Sequence, residues 1–151
     1  MYLADFAYYA PNNLEMACRL LSQFGPQAKV LAGGTDLLHK MKIGQIAPQV
    51  IVSLKNLEEL KKIRYEKGQG IVIGALATHN EIAGSLELQE RYLSVCEAAH
   101  GMANNQIRNT GTIGGNRVNA VPSADLPPIL IALGAKIKLV GTKGQRILPL
   151  E

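Results

Sequence analysis

Two glycine-rich stretches hold the residues best suited to chemistry. The first reads Val30-Leu31-Ala32-Gly33-Gly34-Thr35-Asp36-Leu37-Leu38, and the second Ile107-Arg108-Asn109-Thr110-Gly111-Thr112-Ile113-Gly114-Gly115-Asn116. Each offers several backbone N–H groups with little side chain in the way. Consecutive amides form a positive concavity that wraps an anion. Two such turns with different flanking chemistry point to a diphosphate held from two sides.

In the first stretch a strand delivers Gly33-Gly34 and a helix then begins. Unpaired helix N–H groups and the positive end of the helix dipole are thereby aimed at the turn. Thr35 adds a hydroxyl. A carboxylate at Asp36 would repel a diphosphate, so it is expected to turn away and cap the helix. The alternative is a plain strand-to-helix turn that uses glycine for a positive φ. The stretch is neither a Walker A loop nor a GxGxxG fingerprint, because Ala32-Gly33-Gly34-Thr35 lacks both spacings.

The second stretch is richer. Asn105, Gln106, Arg108, Asn109, Thr110 and Thr112 surround its glycines. Arg108 reads as a partner for a phosphate or for a carboxylate, and Asn116 carries both a donor and an acceptor. The alternative is a polar loop whose side chains bond their own backbone. Further along, Asp125 in Pro122-Ser123-Ala124-Asp125 falls in the first turn of a helix, where a carboxylate is favoured. It could equally accept from a ribose hydroxyl or a ring N–H. His39, His79 and His100 show neither metal spacing nor a partnered nucleophile, and read as structural or surface residues. No triad or carboxylate pair is visible, so no catalytic residue is assigned. These residues suit binding of a phosphorylated cofactor better than a reaction carried by the protein itself.

The elements that must position these stretches follow from the apolar pattern. Asn12 and Asn13 can cap a helix with Met16, Ala17, Leu20, Leu21 and Phe24 at helical spacing, ended by Gly25-Pro26. A short strand from Lys29 to Ala32, a helix with Leu37, Leu38 and Met41, and the β-branched run Val50-Ile51-Val52 come next. This alternation predicts a small parallel α/β layer over 1–56. Beyond it, Ile63-Arg64-Tyr65 and Ile71-Val72-Ile73 flank Lys67-Gly68-Gln69-Gly70 as a β-hairpin. Thr78-His79-Asn80-Glu81 has capping-box form, and a helix spans Arg91 to His100. Ser123 can cap a helix with Ile129, Leu130 and Leu133 that stops at Gly134. Ile137, Leu139 and Ile147 form a hairpin around Gly141-Thr142-Lys143-Gly144. The expected fold class is therefore α+β: the parallel subdomain, then a mixed or antiparallel one over 57–151.

Composition narrows the function class. The 151 residues are 47% hydrophobic and 19% charged, with a formal net charge of +4. That is ordinary for a globular protein long enough to bury a core without staples. The basic run Lys61-Lys62-Ile63-Arg64 is diluted by Glu58, Glu59 and Glu66 and reads as a solvated face, which argues against a nucleic-acid partner. Cys18 and Cys96 are the only cysteines; they cannot hold an iron–sulfur cluster or a zinc ion and read as buried free thiols. No targeting segment or membrane span is evident, and the chain reads as cytoplasmic.

Taken together, the motifs resemble those of the FAD-binding subunit or domain of molybdenum hydroxylases, the xanthine dehydrogenase and carbon monoxide dehydrogenase medium-subunit group. The matching text is Ala32-Gly33-Gly34-Thr35-Asp36, Ile73-Gly74-Ala75 with Thr78-His79, Gln106-Ile107-Arg108-Asn109, Gly111-Thr112-Ile113-Gly114-Gly115-Asn116 and Pro122-Ser123-Ala124-Asp125. The opening Phe6 to Pro11 and Gly144-Gln145-Arg146 also fit. The resemblance implies an FAD-binding fold with FAD between the subdomains. By position it implies cofactor contacts at Leu31, Ala32, Gly33, Gly34, Thr35, Asp36, Met102, Ile107, Thr112, Ile113, Gly114, Gly115, Asn116 and Asp125. It further implies an oxidoreductase component with partners in an iron–sulfur subunit and a molybdenum-cofactor subunit, passing electrons to an acceptor such as NAD. Family members continue past the position of Glu151, so this chain reads as truncated at its C-terminus. An apolar face left open there could promote homo-oligomers. The alternatives are an interaction or assembly fragment without flavin, and a molybdenum-independent FAD oxidoreductase.

Overall fold

The computed structural model describes residues 3–119 and 125–150. The chain enters through β1 (Ala7–Tyr9), a strand of three residues too short to carry a periodic signal. Helix α1 (Leu14–Phe24) follows, its N-terminus capped by Asn13, which accepts from the Met16 amide at 2.8 Å. Gly25 closes it at a φ of +50°, a conformation that glycine adopts without strain. Strand β2 (Ala28–Leu31), helix α2 (Leu37–Lys42) and strand β3 (Val50–Ser53) complete the first part.

All three strands are parallel, in the order β1-β3-β2. The expected α/β layer is present, with β1 as an added edge. Successive side chains of a strand point to opposite faces, and β3 uses both. Val50 and Val52 pack with Ala17 and Leu20 of α1, while Ile51 packs with Leu31 and Met41 on the other side. A central parallel strand covered on both faces must be apolar throughout, which accounts for the Val-Ile-Val run. Leu57 and Leu76, from beyond the expected boundary at residue 56, join the α1 cluster.

The second part opens with an antiparallel hairpin of β4 (Ile63–Glu66) and β5 (Gly70–Ile73), with Gly68 and Gly70 at positive φ in the turn. Of the basic run before and within it, Lys62 and Arg64 are exposed and Lys61 half-buried, and Arg64 Nε donates to Glu66 Oε1 at 2.8 Å. Helix α3 (His79–Ala83) starts in a complete capping box between Thr78 and Glu81. The helix expected over Arg91 to His100 is α5 (Leu93–Gly101), which starts two residues later; a further helix not anticipated, α4 (Leu86–Arg91), precedes it, separated at Tyr92 by a φ of −143°. After α6 (Asn105–Thr110) and α7 (Ile113–Asn119) comes α8 (Leu126–Ala132). The expected cap Ser123 lies outside the described residues. The final hairpin pairs β6 (Lys136–Gly141) with β7 (Gly144–Pro149). Leu88, Val95, Cys96, Ala99 and Leu126 form the core of this part. The α+β class holds: one small parallel sheet and two antiparallel hairpins.

Candidate functional site

The strand-to-helix turn after β2 keeps its amides free. Among the described residues, the backbone N–H groups of Gly33, Gly34, Thr35, Asp36 and Leu37 donate to no protein acceptor; the next amide, Leu38, bonds the Gly34 carbonyl at 3.0 Å. Gly34 sits at a φ of +92°, which lets the chain turn sharply enough to line these amides up. Five consecutive unpaired donors, the first two on glycines, are the kind of backbone run that can wrap an anion.

Gly33 has a different reason for being glycine. A Cβ there would run into the carbonyl of Thr110 and the Cα of Gly111. The backbones of the two glycine-rich stretches are thus in contact, and the missing side chain is what allows it. Polar side chains extend the junction. Asn119 Nδ2 on α7 donates to Asp36 Oδ1 at 2.8 Å, and Lys40 Nζ donates to Asn119 Oδ1 at 2.8 Å. Asp36 occupies the N-cap position of α2 but makes no side-chain cap. Its carboxylate does turn away, as anticipated, though to bind α7 instead of capping its own helix. Asn119 and Lys40 carried no local signal, because the partners they meet are 83 and 79 residues away in sequence.

The second stretch is not an open glycine turn. It is a helix, a break at Gly111-Thr112 and a second helix, with Gly114, Gly115 and Asn116 inside α7. Its amides are occupied. Ile113 N donates to Ala77 O at 3.0 Å, Gly114 N to Ala75 O at 2.9 Å, Gly115 N to Thr112 Oγ1 at 3.1 Å and Asn116 N to Thr112 O at 2.9 Å. Buried Thr112 therefore caps α7 in the ordinary way of a threonine. A Cβ on Gly114 would meet Ala75 O at 2.6 Å, so this glycine lets α7 pack on the 75–77 segment. The stretch is a rigid wall against which the first loop is docked.

Its polar side chains also look inward. Arg108 Nη1 donates to the carbonyls of Met102 at 2.8 Å and Ala103 at 3.2 Å, and its Nε donates to Asn80 Oδ1 at 3.2 Å. Asn80 Nδ2 in turn donates to Asn105 Oδ1 at 2.8 Å and Asn109 Oδ1 at 2.5 Å. Arg108 is a structural clamp here, holding Ala103 at a φ of +40°, and pairs with no carboxylate among the described residues. Met102 and Leu31 have buried side chains, while Ile107 on α6 is 37% exposed. Asp125 is exposed and precedes α8 without capping it, one residue earlier than expected. His79 is 2% exposed beneath the Gly111 turn; burial lowers its pKa, and its Nδ1 has no partner. Cys96 is buried and its thiol pKa raised by burial, whereas Cys18 is only half-buried; both are free. No group of His, Cys, Asp or Glu able to hold a metal occurs among the described residues, and none of their helices is long and apolar enough to cross a membrane.

The chain is similar to known proteins over nearly its whole length. The family described as the FAD binding domain in molybdopterin dehydrogenase matches residues 4–151. The carbon monoxide dehydrogenase medium chain of Hydrogenophaga pseudoflava is 39% identical over 146 residues, covering 97% of this chain and 50% of that protein. The xanthine dehydrogenase FAD-binding subunit of Escherichia coli O157:H7 is 35% identical over 148 residues, again 97% of this chain and 50% of the relative. Among solved structures, the Hydrogenophaga pseudoflava carbon monoxide dehydrogenase lacking the Mo-pyranopterin moiety superposes with a TM-score of 0.95. That match has 39% identity and covers 99% of this chain and 52% of that one. The chain spans about half the length of the curated relatives it matches.

Proposed function

This chain belongs to the family of FAD-binding domains in molybdopterin dehydrogenases, and we propose that it holds the diphosphate of FAD on the Gly33–Leu37 amides, against the wall formed by α6 and α7. The observation that carries the reading is the run of five unpaired amides on a loop fixed in place by the Gly33–Thr110 contact and the Asp36–Asn119 hydrogen bond. Unpaired backbone donors are satisfied by an anion at no cost in side-chain entropy, and the dipole at the start of α2 adds to the attraction.

The remaining contacts follow from position. Thr35 supplies a hydroxyl to the diphosphate. The Thr112 to Asn116 segment backs the far side as a packed wall, its amides from Ile113 to Asn116 already taken within the protein. Exposed Ile107 offers apolar surface to the flavin, Met102 contributes from the core edge where Arg108 holds its carbonyl, and Asp125 accepts from the ribose. Bound FAD supplies the redox chemistry, carrying electrons from an iron–sulfur partner subunit, fed by a molybdenum-cofactor subunit, to an acceptor such as NAD. The chain's own part is to bind and orient the cofactor, in line with the absence of any nucleophile–base pair in its sequence. The names of the relatives, medium chains and FAD subunits of multi-component dehydrogenases, support such an assembly.

Titration of the folded chain with FAD, read by calorimetry and flavin fluorescence, tests this. Saturable one-to-one binding that ADP and AMP compete for is the expected result. A cooperatively melting chain that takes up no FAD at high micromolar concentration overturns the reading for these residues.

A further inference from the structure

One acid beside the run of free amides is out of place for an anion site. Asp36 is the only acid between Glu15 and Glu58, and its own amide is among the five that donate to no protein acceptor. A carboxylate at this position repels the phosphates that those amides attract. Its Oδ1 accepts from Asn119 Nδ2 at 2.8 Å, and its Oδ2 meets the Thr35 hydroxyl at 3.4 Å. Neither neighbour is charged.

The balancing charge lies one helical turn further on. The Lys40 amide bonds the Asp36 carbonyl at 2.9 Å, and residues four apart share a helix face. Lys40 is half-buried, and its ammonium donates to Asn119 Oδ1 at 2.8 Å. Asn119 is thus held between a cation and an anion. An ammonium only donates and a carboxylate only accepts, so the amide can stand only one way round, oxygen to Lys40 and nitrogen to Asp36. Its dipole is aligned with both charges, and each bond polarises the other. The other basic residues of α2, His39 and Lys42, are exposed, whereas Lys40 is tied into the junction.

We propose that Lys40 is a positioning residue for the cofactor: acting through Asn119, it holds Asp36 against α7 and offsets its charge, so that a diphosphate meets the Gly33–Leu37 amides without an uncompensated carboxylate beside them. Lys40 stands outside both glycine-rich stretches and does its work without touching the anion, because its ammonium is engaged with Asn119. Removing Lys40 leaves the carboxylate unbalanced next to the site. Removing the carboxylate as well leaves nothing to balance, so the two changes are coupled and not additive. The inference rests on the reading of those amides as the diphosphate site and adds to it the residue that keeps the site's local charge near neutral.

The test is a double-mutant cycle of Lys40→Met and Asp36→Asn, read by the amide NMR shifts of residues 33–37 during titration with inorganic pyrophosphate and then with FAD. Pyrophosphate carries the charge without ribose or ring, so contacts of Asp36 with the rest of a nucleotide do not enter. In about 20 mM salt, Lys40→Met is expected to weaken pyrophosphate binding about five-fold. In about 0.5 M salt, where charges are screened within a few ångströms, the loss should shrink to less than about two-fold. Lys40→Met together with Asp36→Asn should return to within about two-fold of the parent chain. A merely structural Lys40 would weaken binding alike at both salt concentrations and in both backgrounds. Thermal melts show whether each variant folds, and Lys40→Gln replaces Lys40→Met if the latter does not. An equal loss in the Asp36→Asn background, a loss indifferent to salt, no loss at all, or weaker pyrophosphate binding by Asp36→Asn alone overturns the inference and leaves the diphosphate site standing. A folded parent chain whose 33–37 amides respond to neither pyrophosphate nor FAD overturns the site reading and the inference with it.

Discussion

Gly33 and Gly114 show how one residue type serves different ends. Both read as places for a phosphate to approach, and both in fact admit protein backbone, from Thr110 and Ala75 respectively. Gly33→Ala is expected to push the first loop off α6, costing about 1–3 kcal/mol of stability and weakening FAD binding at the same time; paired melts and calorimetry separate the two. Gly114→Val is expected to lower the melting temperature even without cofactor, which a scan of the apo chain checks. Asp36→Asn keeps an oxygen for the Asn119 amide, so stability should change little. Asp36→Ala removes the acceptor and should cost about 0.5–1.5 kcal/mol, measurable by denaturant unfolding. His79 gives a pH signature. Its folded pKa is lowered by burial, so the unfolded state binds the proton first as the pH falls below about 6.5. Stability should therefore drop on acidification through that range, and a His79→Gln variant should lose that part of the slope in urea titrations at several pH values.

At the scale of elements, the second glycine-rich stretch is where local pattern and structure part. Glycine is a poor helix former, so Gly-Thr-Ile-Gly-Gly-Asn reads as a turn. The chain nonetheless forms α7, because Thr112 caps it and the Ala75 and Ala77 carbonyls take its first amides. Those acceptors are set by α3, whose start depends on the Thr78–Glu81 capping box. Thr78→Ala should cost about 1 kcal/mol and should also speed amide exchange at Ile113 and Gly114, although neither is in α3. Hydrogen exchange followed residue by residue checks that coupling. By contrast, α1, the two hairpins and the β2–α2 turn were legible locally, since their caps, positive-φ glycines and β-branched runs lie within a few residues of the elements they define.

Over the whole molecule, the cradle belongs to neither part alone: its amides come from the parallel layer and its wall from the α6–α7 unit. A ligand that spans both should stabilise the chain as one body. At about 100 times its dissociation constant, FAD should add about 2.7 kcal/mol, seen as a single melting transition moving upward. Two transitions of which only one shifts would mean that the cofactor touches one part only.

The sequence alone determined the α+β class, most of the elements and the two stretches that meet at the site, because caps, turn glycines and apolar period are local quantities. It also carried the family motifs through which the cofactor was named. Only the tertiary structure decided which amides are free. That depends on long-range acceptors: Ala75 and Ala77 consume the donors of α7, while nothing in the described chain consumes those of Gly33 to Leu37. It likewise decided that Arg108 is a clamp, that Asp36 bonds Asn119, and that the β6–β7 hairpin leaves Val140, Ile147 and Leu148 exposed among the described residues. Burial and hydrogen-bond satisfaction are properties of segments far apart in sequence, and no single-chain pattern encodes them.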